Sequence, residues 1–206
     1  MSERRRNPIR LGGKAKLLCV LIGLSIMNEK LPTEPWLRGT LVELPAVHRA
    51  ILHALQLAGE DLVRWCSELS PKDFNARPGG IAPVAFHLRH IARSADRLLT
   101  YAEGHQLSDG QLAALKSEMN ADAVPSELFA ELRTAMEEAE KRLRSLVGMN
   151  LEEVRTVGRK LLPTSVGGLL VHIADHTQRH VGQAITTAKI VRAAGSSVNC
   201  TGPASA

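Results

Sequence analysis

Apolar residues recur with helical spacing along most of the chain between residues 44 and 192. From Leu44 to Leu69 they fall at Val47, Ile51, Leu55, Leu62 and Trp65, the three- and four-residue steps of one helix face. Pro45 suits the first turn, and SPKDFNARPGG ends the helix with two prolines and paired glycines. A second helix is expected from about Pro83 to Ala102. GHQLSDGQLAALKSEMN then reads as a loop leading into a short amphipathic helix. A third long helix opens at Pro125 and continues to about Val147. Leu128, Leu132, Ala135, Ala139, Leu143 and Leu146 form its buried stripe, with Glu, Lys and Arg on the other face. LEEVRTVGRKLLPT, with Gly158 and Pro163, reads as an extended connector. Thr164 or Ser165 can cap a last helix running to about Arg192. No segment shows convincing strand alternation, so the expected fold is all-α: a four-helix bundle with a short extra helix.

Composition narrows the function classes. Aromatics make up only 3% of the 206 residues, so the core is built from Leu, Ile, Val and Ala. The net charge is +5, but Arg4, Arg5, Arg6, Arg10, Lys14 and Lys16 against Glu3 already carry all of it. The remainder sums to zero and holds no basic stripe with interleaved aromatics, which argues against a nucleic-acid partner. Cys19, Cys66 and Cys200 are odd in number and far apart, which favours a reducing, cytoplasmic setting over a disulfide framework. Cys66 reads as a small core residue.

Residues 1–35 differ from the rest. A basic start precedes the apolar run AKLLCVLIGLSIM, residues 15–27. Three readings compete for this extension: an upstream start that is not used, an uncleaved anchor, or a signal peptide. The first is favoured, and no membrane association is expected unless the segment is a real anchor. The domain is placed at 36–194, and the small polar residues 195–206 are expected to be a disordered tail.

The chemistry lies in the histidines. His172, His176 and His180 follow one another at intervals of four on the last helix, and His87 and His90 sit three apart on the second. Both spacings stack side chains on one helix face. One imidazole from the second helix and two from the last can hold a divalent ion with a fourth position open to water or substrate. Imidazole suits zinc, nickel and iron alike, so the metal is not fixed. Gln183 falls near the same face, where it reads either as a group that hydrogen-bonds a ligand imidazole or the metal-bound water, or as a partly exposed residue of the helix. Gly182, inside a helix, costs about 1 kcal/mol relative to alanine, which a close helix–helix approach would explain. Asp175 reads as solvated or paired to a neighbouring helix. Asp96 and Arg97 read as surface or inter-helix ion-pairing groups.

These residues resemble the DinB-like (DinB/YfiT) family of metal-binding four-helix bundles, over roughly residues 36–193. IAPVAFHLRHIARSADRLL is similar to the family's second-helix pattern, whose histidine followed by Ile-Ala is His90 here. HTQRHVGQ is similar to H-x-x-x-H-R-G-Q at His176, His180, Gly182 and Gln183, and departs from it at Val181. The resemblance implies the ligand set His90, His176 and His180. It leaves His87 and His172 as pocket candidates without a ligand role. It further implies a homodimer and a small-molecule substrate, with a low-molecular-weight thiol as cofactor. Characterised members transfer bacillithiol, mycothiol or glutathione to electrophiles, or isomerise maleylpyruvate with mycothiol. The activity expected is therefore metal-dependent thiol S-transfer. A non-catalytic metal-binding stress-response module and a metal-dependent hydrolase are the alternatives.

Overall fold

The computed structural model describes residues 33–198. The extension up to residue 32 and the tail beyond 198 lie outside the described residues. A 3₁₀ turn at Pro35–Leu37 leads to the first long helix, α1 (Ala46–Cys66). Next come a single turn, α2 (Pro71–Phe74), and the second long helix, α3 (Val84–Ala102). A short helix, α4 (Asp109–Lys116), precedes α5 (Pro125–Ser145). The last helix, α6 (Val166–Val198), has 33 residues and is about 50 Å long. It runs past Arg192 and Gly195, where the sequence pattern places an end.

Local signals explain the helix starts. Ser108 and Gln111 cap α4 reciprocally, each side chain bonding the other's backbone. The Ser165 hydroxyl accepts from the Gly168 N–H at 3.1 Å and caps α6, as expected. The connector before α6 differs from expectation. Val154–Val157 (β1) and Leu162–Ser165 (β2) pair as an antiparallel hairpin in the register Val157↔Leu162. Four-residue strands are too short to show alternation, and Pro163 weakens the strand signal. Gly158, at φ +69°, supplies the left-handed conformation that opens the turn.

The apolar core falls into two halves that reveal the helix directions. One half joins the C-terminal part of α1 (Ala58, Leu62, Cys66) with the start of α3 (Val84, Leu88, Ile91), the start of α5 (Leu128, Leu132) and the later part of α6 (Val181, Ala184). The other joins the start of α1 (Ile51, Leu52, Leu55) with the ends of α3 and α5 and the start of α6 (Leu170, Ile173). Thus α1 and α6 run parallel, and α3 and α5 run parallel to each other in the opposite sense. Around the bundle the order is α1–α6–α3–α5, so α1 faces α3 diagonally.

This up-down-down-up path has a cost in chain length. After α3 the chain must return the length of the bundle before it can begin α5. Residues 103–124, which include α4, make that crossover. No residue of α4 is buried. The crossover is tied down instead by a stripe of arginines at i, i+4 and i+8 on α3. Arg89 donates to the carbonyls of Glu118 and Asn120 at 3.1 and 3.0 Å. Arg93 reaches the Ala114 carbonyl and the Ser117 hydroxyl at 2.9 and 2.8 Å. Arg97 donates to the Glu118 carboxylate at 2.6 Å.

Candidate metal centre

The antiparallel contact of α3 with α6 is the most extensive in the bundle, and it brings the histidines together. His90 faces His176 and His87 faces His180, as antiparallel helices require. One nitrogen from each of His90, His176 and His180 lies within 4.8 Å of the other two. All three side chains are half-buried. A metal–imidazole bond is about 2.0–2.1 Å long, so small ring movements let the three share one ion.

The far nitrogens fit this donor set. His90 Nδ1 lies 2.6 Å from Glu118 Oε2, and the other carboxylate oxygen takes Arg97 at 2.6 Å. Burial raises the Glu118 carboxyl pKa, but hydrogen bonds from His90 and Arg97 outweigh this and hold it below the ordinary value. An ionised carboxylate only accepts, so Nδ1 of His90 carries the proton and a neutral ring presents a bare Nε2. That Nε2 is 2.8 Å from His176 Nε2. The Nδ1 atoms of His87 and His180 are 3.1 Å apart. In the tautomer where His180 donates, its Nε2 is bare as well. Burial, reinforced by neighbouring positive charge, lowers the pKa values of His87, His176 and His180 to about 4. All three are therefore neutral near pH 7, the state in which imidazole binds a metal. Phe86 walls the cluster, stacking on His90 with ring centroids 5.2 Å apart.

The structure separates the remaining candidates. His87 is buried and backs His180. His172 is exposed, stacks on His176 at 5.3 Å and lies 3.9 Å from Asp175. Asp175 pairs at 2.6 Å with Arg179 of its own helix rather than with a neighbouring one. Arg97 binds Glu118, while Asp96 binds Arg142 of α5 at 2.7 Å, so the two serve separate inter-element contacts. Gln183 is exposed and makes no hydrogen bond to the three clustered histidines among the described residues. Among the described residues the close approach expected at Gly182 is absent, since a Cβ there would meet none of them within 4 Å. Cys66 is fully buried, and burial pushes its thiol up to about 11.

Sequence reasoning missed Glu118. It sits in a polar segment without periodicity, so no local pattern marks it. The available signal was indirect: three arginines on one stripe of α3, two of them buried, require acceptors from an element packed against it.

The helix bundle and the converging imidazoles define a four-helix-bundle protein with a triad able to hold a metal. The DinB superfamily model matches residues 54–184, and the chain belongs to that family. No curated protein gives a significant sequence match. Among solved structures, the chain is similar to YfiT from Bacillus subtilis, described as a probable metal-dependent hydrolase with an unusual four-helix bundle topology. The two share 16% identity at a TM-score of 0.54, and the likeness covers 72% of this chain and 87% of that one. At that identity the likeness bears on the fold. Among the described residues no helix is long and apolar enough to cross a membrane.

Proposed function

We propose that this protein is a divalent-metal-dependent enzyme that activates a thiol, and transfers it to a small electrophile, at a centre formed by His90, His176 and His180. The observation carrying this reading is the orientation of the other two histidines. A closed, structural site needs a fourth protein ligand. His87 turns its Nδ1 toward the back of His180, and His172 lies on the exposed side of His176. Neither joins the convergent set. The fourth position is thus left for a small molecule, which favours an enzyme over a purely structural metal module.

A divalent ion held by three neutral imidazoles acts as a Lewis acid and lowers the pKa of a thiol or water in the open position. The chain's own groups prepare that position. Glu118 fixes the His90 tautomer and ring angle, and Arg97 holds Glu118 ionised. His87 does for His180 what Glu118 does for His90, without adding charge. Phe86 shields one side of the imidazoles from water. With water in place of a thiol the same site is a hydrolase, the activity given as probable for YfiT.

The test begins with metal analysis of protein purified without a histidine tag. Bacillithiol, mycothiol and glutathione are then offered with 1-chloro-2,4-dinitrobenzene, and 4-nitrophenyl acetate is offered alone. Thiol conjugation lost on chelation supports the transferase. Metal-dependent ester cleavage without thiol use moves the assignment to hydrolase. Equal turnover in chelated and loaded protein refutes both.

A further inference from the structure

A surface cavity of about 460 Å³ adjoins the histidine cluster. Ile81 and Ala82, just before α3, and Phe86 in its first turn form one wall, and Gly182, Gln183 and Thr186 of α6 form the other. His87 also lines it, so one ring backs His180 on one side and borders the cavity on the other. Phe86 is likewise shared, stacking on His90 while facing the cavity.

Two features give this cavity a chemical character. First, among the described residues no carboxylate, ammonium or guanidinium lines it. The hydroxyls of Thr186 and Thr187 are taken up by the Gly182 and Ala82 carbonyls, at 2.8 and 3.4 Å. The exposed Gln183 amide, together with the Nε2–H that His87 carries when His180 donates to its Nδ1, is the donor set left for a ligand. Second, Gly182 interrupts a helix that any ordinary residue would favour more. Among the described residues nothing packs on it that requires glycine, because a Cβ there meets none of them within 4 Å. Its φ lies outside the left-handed region, so no backbone strain requires it either. What glycine does provide is empty space on the cavity wall, two residues beyond His180.

We infer that this cavity binds the uncharged, chiefly apolar part of the substrate, an aryl or short alkyl group beside one function that hydrogen-bonds Gln183, and that Gly182 sets its size. The inference rests on the metal-centre reading only for what the bound group is presented to. A charged group would give up hydration against the apolar wall without gaining a counter-charge. The thiol's own charged groups are therefore excluded from the cavity, which takes the electrophile.

The experiment is an amide-resonance NMR titration of metal-free and zinc-loaded protein with benzyl alcohol, benzoate and benzylamine. Benzyl alcohol is expected to shift the Gly182 and Thr186 amides, with the two charged analogues binding at least about tenfold more weakly. Gly182→Ala should retain binding. Gly182→Phe should lose at least about tenfold in affinity while keeping wild-type zinc stoichiometry and thermal stability, since its side chain fills the space. Equal binding of the three probes, or undiminished binding in Gly182→Phe, overturns the inference. Benzyl alcohol binding without zinc binding leaves the cavity standing and refutes the metal centre. Zinc binding without benzyl alcohol binding does the reverse.

Discussion

Replacing Glu118 by glutamine changes one oxygen into a donor, and the geometry dictates how His90 must respond. The native carboxylate faces two donors, Arg97 and His90 Nδ1–H, both at 2.6 Å. A glutamine amide has one acceptor oxygen, which the always-charged Arg97 claims. The NH₂ group then faces His90 Nδ1, which must become an acceptor. The His90 proton moves to Nε2, the nitrogen needed for the metal. Losing an outer partner of this kind costs about 10–100-fold in metal affinity, or about 1.4–2.7 kcal/mol. Glu118→Gln should therefore bind zinc about 10–100-fold more weakly in a chelator competition, with a smaller loss of stability than Glu118→Ala, because Arg97 keeps a hydrogen bond but loses its counter-charge. The ¹⁵N shifts of His90 in metal-free protein should report the Nε2–H tautomer. Glu118→Ala is harsher, because it strands the buried Arg97 guanidinium and should cost about 3–5 kcal/mol of stability as well. Wild-type zinc affinity in Glu118→Gln, or an unchanged His90 tautomer, would refute this reasoning.

Alanine at His90, His176 or His180 should abolish stoichiometric metal binding by calorimetry, and alanine at the exposed His172 should not. His87→Ala should weaken binding by about tenfold, because it removes only the partner behind His180. His87, His176 and His180 have pKa values near 4 in the fold against 6.5 ordinarily. The unfolded chain thus takes up protons between pH 6.5 and 4 that the fold refuses. Urea midpoints of metal-free protein should be highest above pH 6.5 and fall toward pH 4. A flat profile over that window would count against burial of these rings. Cys66 should resist Ellman's reagent in folded Cys19→Ser/Cys200→Ser protein and react only on unfolding, since its thiol is fully buried with a pKa of about 11.

The long helices were legible because their apolar stripes meet partners along their whole length, as Leu128, Leu132, Ala139 and Leu143 do. His176 and His180 were legible for a related reason, since i, i+4 spacing survives any choice of neighbouring helix, whereas His90 was set apart from His87 only by the family resemblance. Helix order was not legible, because diagonal and adjacent neighbours demand the same stripe. The hairpin was missed because its four-residue strands carry little pattern. Gly182 was misread because a glycine that admits a neighbouring helix and one that leaves space look the same in sequence. Glu118 acts from a segment whose place is set by Arg89, Arg93 and Arg97 rather than by its own residues.

The return path between α3 and α5 gives the metal centre a kinetic dimension. Between residues 103 and 124 only Glu118 and Ala123 are buried, so this segment is held mainly by hydrogen bonds from the α3 arginines rather than by apolar packing. With little apolar burial of its own, such a segment can open without unfolding the helices it crosses, at the cost of its bonds to Arg89, Arg93 and Arg97. Each opening withdraws the carboxylate from His90 while leaving the bundle intact. The apparent dissociation constant for metal is then the intrinsic one divided by the fraction of time the segment is docked. Hydrogen exchange at the Glu118 and Asn120 amides should slow when metal is added, and the retardation measures the energy shared between a surface segment and the centre of the bundle.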